Sequence, residues 1–291
     1  MVICAGTSLI DCIVTEAGSE AVAEDITLSP GGEAFNEAVW LAALGEKVLF
    51  CSAVGQDFAG DALRRVLADK GVTLVSGYSG RTPVSLLTVD RRGERKSKVS
   101  RVHELTGWEP MLPEGARPDF VTMASLFRPP FLDPAAALRF AASAKAAGAR
   151  LLADTKLPKG ADPRLADYRE TLSLLDFITP NETEAAHYTG CADPVAAAEV
   201  FRGCGVKNVV VKLGEKGCYV LPEDGEGFSC PALPVTCVDG IGAGDSFNAG
   251  LIHALLRGDT LGEAVACGTR CAARCVTMRG GIAAAAGIRG A

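Results

Sequence analysis

The chain begins with an unbroken apolar run, Val2-Ile3-Cys4-Ala5, that stops at Gly6. A second run, Ser8-Leu9-Ile10-Asp11-Cys12-Ile13-Val14, holds one acid among apolar neighbours. Both have the length of strands. A carboxylate in such a run is costly unless it has partners. Asp11 therefore points either to solvent or into a pocket that offers hydrogen-bond donors. Helical spacing first appears after Pro30-Gly31-Gly32, over residues 33–44, and ends at Gly45. Residues 47–54 then read as a strand and 58–69 as a helix. The grammar changes after Gly71. Residues 72–75, 84–89 and 95–102 are strand-like, and no long helical pattern separates the last two. That is an antiparallel hairpin turning at Gly93. Charges fall on both faces of residues 95–101, which a strand buried on both sides would not tolerate. These strands belong to a small open sheet.

From Asp119 onward, strands and helices alternate. Residues 120–125 read as a strand and the alanine-rich 134–147 as a helix. A strand over 150–154 ends in Asp154-Thr155-Lys156, and one over 174–179 ends in Pro180-Asn181-Glu182-Thr183-Glu184. A strand over 206–212 ends in Leu213-Gly214, and Lys212–Gly217 turns it into a hairpin with 218–221. Residues 261–276 are helical, followed by Gly280-Gly281. This pattern predicts an α/β fold with a doubly wound, mostly parallel sheet flanked by helices. No internal repeat or low-complexity linker divides residues 1–291, so one domain is expected. Polar residues and glycines collect at the carboxyl ends of successive strands, the edge where open parallel sheets bind ligands. Asp154, Asn181, Glu184, Lys212, Gly214 and Asp245 should share that rim.

The densest chemistry lies in Asp239-Gly240-Ile241-Gly242-Ala243-Gly244-Asp245-Ser246-Phe247-Asn248-Ala249-Gly250. The β-branched Val235, Thr236 and Val238 lead into it as a strand would. Phe247, Leu251 and Leu255 leave it with the spacing of one helix face. Small residues at a helix start leave backbone N–H groups uncovered, and the helix dipole adds positive charge there. Phosphate is the usual ligand of such a site. Asp245 lies in the first turn, where a carboxylate is odd unless it has a task. Accepting the proton of a hydroxyl that attacks a bound phosphate would be one; a plain helix-start acid is the other reading. A dinucleotide fingerprint is excluded because Asp245 stands where its glycine belongs, and no Gly-Lys-Ser/Thr run supports a P-loop.

Gly-Ala-Gly-Asp-Ser-Phe-Asn-Ala-Gly resembles the C-terminal signature of the ribokinase-like (PfkB) carbohydrate kinases. Gly31-Gly32-Glu33-Ala34-Phe35-Asn36-Glu37-Ala38, Leu44-Gly45 and Val54-Gly55-Gln56-Asp57-Phe58-Ala59-Gly60 resemble its N-terminal signature in order and spacing. The resemblance covers nearly the whole chain. It implies a small β-sheet lid drawn from about 11–30 and 72–103, which in the family often makes a homodimer contact. It implies ATP and Mg²⁺, with Asp245 as general base and the N–H groups of Gly242, Ala243 and Gly244 as anion hole. Asp11, Gly31, Gly32 and Asn36 would meet the sugar; the glycines allow close approach, and an amide can donate to and accept from a diol. Lys212, Gly214, Gly217 and Asp239 would meet the nucleotide, and the region after 261 would close over the adenine. Asn181 and Glu184 read on their own as a capping box; the family uses that pair to position magnesium through water. Some members bind a monovalent cation beside the C-terminal signature, but Gly240-Ile241 here replaces the usual two threonines, which weighs against one.

Residues 91–101 carry Arg91, Arg92, Arg95, Lys96, Lys98 and Arg101 in a chain whose net charge is −6. The surplus charge can simply protect an exposed edge. Alternatively Arg101 pairs with an anionic sugar substituent, as a lid arginine does in relatives that act on sugar acids. The acidic balance speaks against a general nucleic-acid binder, and no apolar run reaches membrane-spanning length. Eleven cysteines form no Cys-x-x-Cys pair, so reduced thiols and a cytoplasmic location are expected. A nucleoside kinase of the same superfamily and a catalytically silent sugar-sensing regulator are the alternatives; low aromatic content weighs against the first, and retention of Asp245 against the second.

Overall fold

The computed structural model describes the chain except residues 20, 21, 79, 90–94, 101–106, 159, 161 and 289–291. In chain order its first strands are β1 (Val2–Ala5), β2 (Leu9–Ser19), β3 (Val22–Gly31), β4 (Val48–Cys51) and β5 (Thr73–Val75). Next come β6 (Val84–Val89), β7 (Arg95–Val99), β8 (Phe120–Leu126) and β9 (Arg150–Thr155). The last are β10 (Phe177–Ile178), β11 (Asn208–Lys212), β12 (Cys218–Leu221) and β13 (Phe228–Cys230). Among the described residues, nine of them form one sheet in the order β13-β12-β11-β10-β9-β8-β1-β4-β5. All its pairs are parallel except β11–β12 and β12–β13.

The continuous apolar runs follow from burial on both faces. Within β1, Val2 and Cys4 enter one core while Ile3 and Ala5 enter the other. The first core lies under helices Glu33–Ala43, Phe58–Asp69, Ala243–Arg257 and Leu261–Cys275. Phe35 and Trp40 are fully buried there, each contributing about 1.5–3 kcal/mol over an exposed position. The second core lies under helices Pro134–Ala146, Glu182–Thr189 and Pro194–Gly203. Asp57, Asp133 and Asp193 cap three of the helices with their side chains, each worth about 1 kcal/mol.

A separate four-stranded sheet has the order β3-β2-β6-β7. Its registers align Ser29, Asp11, Ser85 and Val99 in one row and Leu28, Cys12, Leu86 and Lys98 in the next. Because side chains alternate across a sheet, the two rows face opposite ways. Asp11, Ser85 and Val99 face the candidate site. Leu28 and Leu86 lie on the outer face and are exposed.

Two expectations need correction. Residues 73–75 pair with β4 at the edge of the large sheet, so the small sheet takes its strands from 84 onward rather than from 72. Residues 231–238 form no strand, although Val235, Thr236 and Val238 suggested one. Pro231 and Pro234 cannot donate to a ladder, and Val235 and Val238 are exposed.

Candidate active site

The sheet grows outward from β1 in both directions, with β4 on one side and β8 on the other. The crevice at the carboxyl end of such a strand is where doubly wound folds bind ligands. Five features converge on it: the start of helix Glu33–Ala43, the start of helix Ala243–Arg257, the ends of β9 and of β11, and the small sheet. They enclose a cavity of about 480 Å³. A second cavity of about 740 Å³ adjoins it, walled by residues 232–235, Cys237 and one face of helix Leu261–Cys275. Lys212, Gly214, Gly240, Ala243 and Gly244 line both.

Each helix start is set by glycines that no other residue could replace cheaply. Gly32 caps the first helix at φ 103°, and a Cβ there would stand 2.6 Å from the carbonyl oxygen of Thr7. Gly242 caps the second at φ 81°, and its Cβ would stand 2.4 Å from the Cα of Gly281. No side chain caps that second helix. Among the described residues, the N–H groups of Gly242, Gly244 and Asp245 make no hydrogen bond, and that of Ala243 reaches Gly240 only at 3.4 Å. Uncovered donors at a helix start can serve an anion.

Asp245 stands at the third position of this helix and is only 4% exposed. Asn36 donates from Nδ2 to its Oδ2 at 2.7 Å. Burial pushes the Asp245 carboxyl up to about 7, with Glu33 and Asp154 adding to the rise and Lys156 and Asn36 opposing it. Asn36 thus orients the carboxylate, while its own Oδ1 is buried without a partner. Asp11 faces the same cavity from the small sheet; burial pushes it up to about 6 against a hydrogen bond with Ser85. Gly31 makes room for it, since a Cβ there would meet the Asp11 carboxylate.

Asp154, fully buried at the end of β9, pairs with Lys212 at 2.9 Å through Oδ1, leaving Oδ2 without a partner. The Lys212 ammonium also sits 2.9 Å from where a Cβ on Gly244 would be. Asn181 and Glu184 form the capping box, and Glu184 also accepts from Thr155 Oγ1 at 2.9 Å. Burial pushes the Glu184 carboxyl up. No three His, Cys, Asp or Glu side chains among the described residues are grouped to hold a metal. Gly214 and Gly217 line the larger cavity. Asp239 braces the loop instead, accepting from the N–H of Ile241 at 3.1 Å and of Gly280 at 3.0 Å. Trp40 completes this brace by donating from Nε1 to the carbonyl of Gly281. Arg101 lies outside the described residues.

Three site residues escaped the sequence reading. Lys156, directly after β9, lies among Asp154, Glu33, Asp245 and Glu184. Burial would push its ammonium down, but those four carboxylates outweigh it and hold it above the ordinary lysine range. Glu33 accepts hydrogen bonds from Thr7 and Ser125. Arg128, two residues past β8, lines the 480 Å³ cavity. Both Lys156 and Arg128 follow strand ends, the signal that had singled out Asp154. Beneath the site, Glu37 is fully buried and bonded by Thr122 and Asn248, and burial pushes it up to about 8.

This architecture is the ribokinase fold. The ribokinase of Arabidopsis thaliana, solved with ribose and ATP, superposes with a TM-score of 0.84 at 23% identity, over 97% of this chain and 94% of that one. The sequence places the protein more closely: residues 1–286 match the pfkB family carbohydrate kinase profile, and the chain belongs to that family. It is 30% identical over 277 residues to a ribokinase of Haemophilus influenzae, covering 91% of this chain and 87% of that one. It is also 30% identical over 245 residues to a cytidine kinase of Thermococcus kodakarensis, covering 82% and 84%.

Proposed function

We propose that the protein is an ATP-dependent carbohydrate kinase that transfers the γ-phosphoryl group of ATP to a sugar hydroxyl. The observation that carries this reading is the position of Asp245. Its buried carboxylate stands at an uncapped helix start, where a cavity suited to a polyol meets a larger one suited to a nucleotide. A carboxyl tuned to about 7 is matched to accept a proton near neutral pH. The acceptor hydroxyl passes its proton to Asp245 as its oxygen bonds to the γ-phosphorus, and the bond to the β-phosphate oxygen breaks to release ADP. The N–H groups of Gly242, Ala243 and Gly244 stabilise the charge on the transferring group. Asp11 and Asn36 face the acceptor.

The nucleotide takes the 740 Å³ cavity, with Lys212, Gly214 and Gly217 beside its phosphates and Asp239 holding the loop beneath them. Asn181, Glu184 and the unpartnered Asp154 Oδ2 would hold a Mg²⁺ brought with ATP through its water shell, and the ion would neutralise phosphate charge. A nucleoside acceptor is the second reading, favoured by the likeness to the cytidine kinase. It is weakened because no aromatic ring is among the described residues lining the acceptor cavity. No helix among the described residues is long and apolar enough to cross a membrane. The free cysteines fit a reducing cytoplasm. A second copy of the chain would cover the exposed Ile26, Leu28 and Leu86 of the small sheet.

The test is Asp245→Asn, which keeps shape and removes basicity. Turnover should fall by about 10²–10⁴, with ATP binding retained in a calorimetric titration. Turnover within a fewfold of the parent would sink the assignment.

A further inference from the structure

Arg128 owes its position to a strained turn. Phe127, between it and the end of β8, adopts φ 73°, a left-handed conformation that is strained for an aromatic residue. The Phe127 ring is fully buried, with its centroid 4.8 Å from that of Tyr168 and 4.0 Å from that of Tyr188. Packing of that ring holds the left-handed turn in place, and the turn delivers Arg128 to the acceptor side of the crevice. There the guanidinium donates from Nε to the carbonyl of Leu157. That bond fixes the plane of the fork and leaves its two Nη groups without a hydrogen bond among the described residues. No described carboxylate lies within 4.0 Å of it.

The cavity continues past Arg128 into a pocket of about 60 Å³, lined in part by Thr7, Glu33, Ser125 and Leu132. The glycine-rich loop does not reach this end. Lys156 likewise has no ion pair within 4.0 Å, but it lies towards Asp245 and so serves the reacting end. Glu33 lies beside both cations. Burial would raise it, yet Lys156, Thr7 and Arg128 together hold it below the usual range. Lys156 is matched by the carboxylates around it, whereas Arg128 has no described carboxylate within 4.0 Å and carries its charge unmatched at the end where the glycine-rich loop does not reach. A half-buried guanidinium with a free fork is costly without an anion, and the fork's shape matches a carboxylate or phosphate in two bonds.

We propose that the acceptor is an anionic sugar, and that Arg128 binds its carboxylate or phosphate at the end of the crevice remote from Asp245. This rests on the sugar-kinase reading of the site. Arg128 then decides specificity: it meets the substrate away from the reacting hydroxyl and draws acidic acceptors from among neutral ones.

The experiment compares the parent, Arg128→Met and Arg128→Lys on four acceptors. Ribose and fructose are the neutral pair; gluconate and fructose 6-phosphate carry a carboxylate and a phosphate. ADP release gives kcat/KM, and calorimetric titration with a non-hydrolysable ATP analogue present gives binding without turnover. The parent should prefer an anionic acceptor, and which of the two it prefers identifies the group. Arg128→Met should lower that acceptor's kcat/KM by about 10–100-fold more than it lowers a neutral sugar's, the loss of a charged hydrogen-bonded pair. Arg128→Lys, which keeps the charge and loses the fork, should recover part of it. Turnover of a neutral sugar with no binding of either anion overturns the proposal and leaves the kinase reading intact. An equal loss on neutral and anionic acceptors overturns it too. If no acceptor yields ADP, the kinase reading fails. Titration then decides alone: an anion bound by the parent and lost in Arg128→Met supports Arg128, and no bound anion refutes it. Should Arg128→Met fail to fold, the parent's preference and the behaviour of Arg128→Lys decide between the same outcomes.

Discussion

Asp245 and Lys156 set each other's charge. Burial raises the carboxyl, and the ammonium of Lys156 pulls it back down. In the general-base role proposed for it, Asp245 works only when ionised. The acid limb of a kcat–pH profile should therefore rise as pH passes about 7 and level off above it. Removing the ammonium in Lys156→Met leaves burial and the neighbouring acids to act alone, so the Asp245 pKa rises and the limb moves to higher pH. A Lys156 that merely filled space would lower activity without moving the limb. At this scale the sequence was only partly legible. Asp245 stood out because an acid inside an anion site needs a reason. The bond from Asn36 to Asp245 did not, because the two are 209 positions apart and an early-helix asparagine has many ordinary uses. Lys156 was passed over because a lysine after a strand is usually solvated, and only the fold gathers four carboxylates around it.

Among elements, the loop before helix Ala243–Arg257 has the least freedom. Its three glycines are not equivalent. A methyl on Gly244 would press on the tip of Lys212, a side chain that can move. A methyl on Gly242 would meet the backbone of Gly281 at 2.4 Å, in a left-handed conformation besides. Gly242→Ala should therefore cost at least about 1–3 kcal/mol, seen as a fall of several degrees in Tm. Gly244→Ala should melt near the parent and instead raise KM for ATP, by displacing Lys212. Equal melting of the two variants would show that the loop yields more than its packing implies. Strands buried on both faces were legible from their apolar runs, and Phe58–Asp69, Val84–Val89 and Cys218–Leu221 match the expected bounds. Residues 231–238 were misread because three β-branched residues look like a strand, whereas two prolines deny it a ladder. Thr73–Val75 was read as a strand but assigned to the wrong sheet, because periodicity carries no information about partners.

At the scale of the molecule, the outer face of the small sheet sets exposed apolar residues in register. Ile26 and Leu28 are each 61% exposed, and Leu86 aligns with Leu28 across Cys12. A dimer through this face should appear in light scattering at micromolar concentration, and Leu28→Asp should give a monomer with its melting unchanged. A parent that stays monomeric would exclude it. The bond between Asn36 and Asp245 has a further consequence, in how the protein is born. Helix Glu33–Ala43 packs against helix Ala243–Arg257, and the residues that join them across the site are separated by 209 positions. A ribosome adds about 5–20 residues per second, so the first helix waits roughly ten to forty seconds for its cover. Throughout that interval the indole of Trp40 lacks its partner Gly281, leaving an apolar side that a holding chaperone can cover. The pair that joins the two helices across the site is thus among the last parts of the molecule to form.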